Sequence, residues 1–98
     1  MTVIVARIGT PLPGKQADAL AFAKKRAEAM KKLYGLEQEV CVRLGGPVGQ
    51  VLTITRHENL SQFEAIKAKV VADTVSGTLP AAPTGVFASA HENLWMTA

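Results

Sequence analysis

The sequence predicts an α+β domain made of two β-α-β halves, with one face of its sheet left bare. Three observations carry that expectation. β-branched runs and alanine- and lysine-rich runs follow one another in the order β-α-β-β-α-β. Shifting the chain by about half its length lays Val3-Ile4-Val5-Ala6-Arg7 on Leu52-Thr53-Ile54-Thr55-Arg56, so the halves share a texture without close identity. Hydrophobic residues make up 48% of the 98 residues and charged residues only 19%. That leaves few polar side chains to cover both faces of a sheet.

The first strand is read over Thr2 to Ile8, TVIVARI. Valine and isoleucine are stiff at the first side-chain torsion and favour extended backbone. Both parities are apolar, which suits an interior strand buried on two faces. Gly9 to Gly14, GTPLPG, reads as a loop. Lys15 to Tyr34 is the strongest helix signal, because Leu20, Ala23, Ala27, Met30 and Tyr34 recur at three- and four-residue steps. Lys31 and Lys32 suit the negative end of its dipole, and Gly35 is a ready terminator.

Gln38 to Leu44, QEVCVRL, forms the second strand, with Val40, Val42 and Leu44 on one face and Glu39, Cys41 and Arg43 on the other. A Gly/Pro turn over residues 45–49 joins it to Gln50–His57, QVLTITRH, as an antiparallel hairpin. Asn59 or Ser61 can cap the second helix, and Ser61 with Glu64 fits a capping box. Its stripe runs through Leu60, Phe63, Ile66 or Lys67, and Val70, with an end between Val70 and Ser76. The proline-containing segment 77–85 reads as a connector or a flap. A final strand over Gly85 to Thr97 alternates poorly and invites a break near Glu92–Asn93. Two β-α-β halves of this kind make a ferredoxin-like four-stranded antiparallel sheet with both helices on one face.

A chain of this length makes one domain. The net charge is +3, and the excess is concentrated in Lys15, Lys24, Lys25, Arg26, Lys31 and Lys32. No aromatic cluster accompanies them, so they read as the solvated outer face of a helix. RNA binding through that helix is only a minor alternative. The lone Cys41 forms no internal disulfide and suits a reducing cytoplasm. No stretch approaches the roughly 20 apolar residues of a membrane span, so no membrane partner is expected.

The TVIVARI strand, the long helix to Tyr34-Gly35, the QVLTITRHENLSQFEAI passage and the late HENLW together resemble the dimeric α+β barrel superfamily. That superfamily includes small cofactor-free monooxygenases of the antibiotic-biosynthesis type and NIPSNAP-like proteins. The resemblance implies a homodimer sealed through the bare sheet face, a small pocket between sheet and helices, and no cofactor. A haem-degrading branch draws Asn, Trp and His from separated positions. Here Asn93, Trp95 and His91 fall in one strand, so that activity is not carried over.

Two histidines are the candidate bases, since imidazole titrates near neutral pH. His57 ends the third strand, and His91 shares a strand face with Asn93 and Trp95. Trp95 could wall a pocket or anchor a dimer. Arg43 and Arg56 are the candidates to hold an anionic substrate, and Tyr34 could send its hydroxyl into a cavity. The His-Glu dipeptides at 57–58 and 91–92 point their side chains to opposite faces, so no metal site is expected. The leading expectation is a homodimer handling a small hydrophobic molecule, phenolic or acidic, as a cofactor-independent monooxygenase or isomerase. A non-catalytic small-molecule-binding or stress-related module is the alternative.

Overall fold

The structure is a computed structural model and describes residues 1–98. The order is β1 (Val3–Pro11), α1 (Gln16–Tyr34), β2 (Gln38–Val42), β3 (Val51–His57), α2 (Leu60–Ser76) and β4 (Phe87–Met96). The four strands form one antiparallel sheet ordered β2-β3-β1-β4. This is the expected ferredoxin-like α+β arrangement, with β1 in the interior. No helix is long and apolar enough to cross a membrane.

Several boundaries differ from the sequence reading. Gly9, Thr10 and Pro11 continue β1 instead of opening a loop. Gly9 still pairs with Val51 and Ala90, and the register shifts between Thr10 and Pro11. A proline is tolerated there because the β3 ladder has already ended. β2 stops at Val42, and Leu44 stands fully exposed in the turn instead of extending a strand face. β4 runs unbroken through Glu92 and Asn93, which pair with Arg7 and Ala6. Continuous pairing to β1 holds this edge strand extended despite its polar composition.

Cap chemistry sets both helix lengths. Gly35 adopts φ 69°, a left-handed conformation that spares a side-chain clash, and its N–H bonds the Lys31 carbonyl at 2.9 Å. At the start of α2, the Asn59 side chain accepts from the Gln62 N–H at 2.8 Å. Asn59, and not Ser61, is therefore the cap.

Register fixes which side chains face the helices. Val3, Val5, Arg7 and Gly9 of β1 align with His57, Thr55, Thr53 and Val51 of β3, and with Met96, Leu94, Glu92 and Ala90 of β4. Both helices lie over this face. The core beneath them is divided in two. Ala19 and Ala23 of α1 pack with Val51 and Val86. Phe63 of α2 packs with Val3 and Val5. The molecule measures 38 × 34 × 18 Å, a two-layer slab.

Candidate functional site

The divided core leaves a cleft between the two helices, floored by the helix-side face of the sheet and about 190 Å³ in volume. α1 contributes Phe22, Ala23, Arg26 and Met30, and α2 contributes Phe63, Ile66, Lys67 and Val70. An apolar cavity of roughly 150 Å³ accommodates benzene. This cleft therefore has room for one ring with a short side chain.

The cleft has three zones along β1. At the Gly9 end, the Phe87 ring covers the glycine. A Cβ on Gly9 would stand 2.8 Å from Phe87 Cε1, so only glycine leaves the ring this seat. Phe22 meets Phe87 edge to face, with centroids 5.9 Å apart.

The middle zone is cationic. Arg7 rises from the sheet and Arg26 descends from α1. Neither has a carboxylate within 4 Å; Glu92, the cleft's acid and the cross-strand neighbour of Arg7, is paired with Lys67 at 3.3 Å and attracts Arg26 from farther away. Burial lowers the Arg26 pKa, and repulsion from Arg7 lowers it further. An arginine so placed remains charged at neutral pH. One Arg26 N–H donates to the Pro80 carbonyl at 3.1 Å, which pins segment 77–86 at the cleft mouth. Leu79, fully buried, anchors the same segment. The segment is thus a fastened connector in this structure.

The third zone is polar. His57 is 5% exposed and its ring meets Phe63 edge to face at 5.4 Å. Burial holds its pKa below the ordinary histidine value, so the imidazole is neutral at pH 7. His57 Nδ1 is buried without a hydrogen-bond partner. Gln38 donates to Thr55 Oγ1 at 3.1 Å, and its own Oε1 is also buried and unpaired.

Among the candidates read from the sequence, His57 lines this cleft. His91, Asn93 and Trp95 share one face, as their spacing implies, but that face is the bare one, opposite His57. The two histidines do not converge. Arg56 lies on the bare face and pairs with Glu39 at 2.7 Å. Arg43 is exposed at the hairpin, bonded to the Gly45 carbonyl and to Gln50 Oε1. Tyr34 donates to Asp73 Oδ2 at 2.5 Å, joining α1 to α2, and does not line the cleft. Burial and this bond raise its pKa to about 12.

Arg26 corrects the reading of the basic segment as an outer face throughout. It is half-buried and faces the sheet. The signal was present in the sequence, because Ala19, Ala23, Arg26 and Met30 follow one helical stripe. Cys41 is a half-buried free thiol on the bare face. No group of three or more His, Cys, Asp or Glu side chains is placed to hold a metal ion.

No protein-family profile and no curated protein matches the chain. Solved structures do match. A NIPSNAP family protein from Agrobacterium tumefaciens superposes with a TM-score of 0.79 at 16% identity, covering 100% of this chain and 94% of the other. A NIPSNAP domain protein from Burkholderia xenovorans gives 0.79 at 12% identity, covering 98% and 94%. A candidate antibiotic biosynthesis monooxygenase from Chloroflexus aurantiacus gives 0.54 at 14% identity, covering 100% and 96%. At these identities the likeness is one of fold alone.

Proposed function

We propose that the cleft binds a small hydrophobic anion, with Arg7 and Arg26 holding its charge and Phe22, Phe63 and Phe87 packing its apolar body. One observation carries this reading: Arg7 and Arg26 face a cavity with a largely apolar lining, and neither has a carboxylate within 4 Å. An anion there would neutralise both guanidinium groups through charge-assisted hydrogen bonds. Calorimetric titration with 3-phenylpropanoate tests it. Binding should be measurable, should weaken at least tenfold in Arg7→Met/Arg26→Met, and should fail with neutral 3-phenylpropanol. Equal binding of acid and alcohol would count against it.

A second reading adds chemistry. His57 is a neutral imidazole in the cleft, able to take a proton from a phenol or an acidic carbon. The fold shared with a candidate antibiotic biosynthesis monooxygenase favours a cofactor-independent oxygenase or isomerase. Oxygen-uptake and turnover assays on phenolic acids separate the readings. A binding module gives affinity without turnover, whereas an enzyme gives turnover that His57→Phe removes.

The working form is proposed to be a cytoplasmic homodimer joined through the bare sheet face. The accessible surface of 6241 Å² supports the dimer. A folded monomer of this mass typically exposes roughly 5400 Å². Trp95, 63% exposed on that face beside Ile4 of β1, is a natural anchor. The free thiol of Cys41 favours a reducing compartment.

A further inference from the structure

The polar zone of the cleft extends the reading of the middle zone as an anion site, and this inference rests on that reading. His57 Nδ1 and Gln38 Oε1 are the buried side-chain polar atoms left without partners, and both residues line the same cleft. Gln38 pairs with Thr55 across the sheet, and His57 lies two residues beyond Thr55 on the same face. That places Gln38 and His57 as diagonal neighbours, within reach of a common group. Each is fixed in its surroundings, Gln38 by its bond to Thr55 and His57 by the Phe63 ring.

Buried polar groups ordinarily find partners, and an unpaired one disfavours the folded state. Leucine or phenylalanine would fill either position without that penalty. Along the strands, His57 lies four residues from the Arg7 register position, roughly 13 Å, and Gln38, two strands away from β1, lies two residues from it, roughly 7 Å. Once side-chain length is taken off, the interval between the Arg7 and His57 positions suits one ring with a short chain.

We infer that the cognate ligand is bifunctional, with its anionic group at Arg7 and Arg26 and a neutral hydroxyl at the remote end received by Gln38 and His57. A hydroxyl both donates and accepts, so it can donate to Gln38 Oε1 while bonding the imidazole nitrogen. A hydroxyaryl carboxylate has this chemistry. A purely apolar tail would leave both polar atoms unpaired.

The test compares 3-(4-hydroxyphenyl)propanoate with 3-phenylpropanoate by calorimetry on the full chain. The hydroxylated probe should bind at least tenfold more tightly. That preference should vanish in Gln38→Met and in His57→Phe; His57→Phe removes an unpaired polar atom and should keep or raise the melting temperature, whereas Gln38→Met also gives up the bond to Thr55. Arg7→Met/Arg26→Met should weaken both probes alike and leave the preference intact. Equal affinity of the two probes for the native protein overturns the inference while sparing the anion site. A preference that persists in both Gln38→Met and His57→Phe also overturns it. If neither probe binds, the anion site itself is refuted and the inference falls with it.

Discussion

The Tyr34 hydroxyl donates to the Asp73 carboxylate at 2.5 Å, fastening the last residue of α1 to the last turn of α2. This bond closes one end of the gap in which the cleft lies. A hydrogen bond to a charged acceptor contributes about 1.5–3 kcal/mol, less when half-solvated. Tyr34→Phe should therefore cost about 1 kcal/mol in urea unfolding. The Tyr34 pKa is raised from 10 to about 12, so its contribution is complete below pH 10 and is lost as pH rises toward 12. A stability profile from pH 9 to 12 should fall in the native protein more steeply than in Tyr34→Phe.

His57 gives the opposite sign. Its pKa is lowered by burial, so the folded state disfavours the charged imidazole. Its contribution is present above about pH 6.5 and is lost as pH falls below that value. His57→Phe should flatten this acid limb. It should also leave stability at pH 7 unchanged or higher, because the unpaired Nδ1 is removed. Chemical denaturation at pH 7 and pH 5 reads both effects.

Gly9 tests the aromatic end. A Cβ at this position meets the Phe87 ring at 2.8 Å, and Phe22 stands against that ring in turn. Gly9→Val should push Phe87 from its seat and narrow the cleft. Overpacking of this kind costs about 1–3 kcal/mol. Ligand affinity should fall at least tenfold, measured by calorimetry on protein shown by circular dichroism to be folded.

Trp95 tests the bare face. It pairs in register with Ile4, on the side away from both helices. Trp95→Glu would place a charge on the proposed seam, where an unpaired buried charge is strongly unfavourable. Analytical ultracentrifugation at micromolar concentration should show a dimer for the native chain and a monomer for the variant. A native monomer would remove the dimer from the account.

The order of elements was legible because most strands are marked by β-branched residues and the junctions by glycine or proline, with the capping residue Asn59 marking the β3–α2 junction. β4 was the exception. Ser89, His91, Glu92 and Asn93 carry little strand propensity, and what keeps them extended is pairing with β1, which no local signal encodes. The placement of His57 at a strand end was readable. Its face was not, because that depends on the register that sets it opposite Val3. Arg26 was readable in principle but was masked by five neighbouring lysines, and Arg7 gained its meaning only when α1 brought Arg26 over it. Arg43 and Arg56 looked equivalent to them in sequence, yet the pleat and the hairpin carry both away from the cleft.

The central claim is that a small hydrophobic anion enters the cleft between α1 and α2. A two-dimensional amide NMR titration with 3-(4-hydroxyphenyl)propanoate tests it most directly. The account predicts saturable shifts at Thr53, Ala23 and Ala90, which line the cleft, with Asn93 and the Trp95 indole on the bare face unmoved. Shifts centred on Trp95 and Asn93, or no shifts at millimolar ligand, would contradict it.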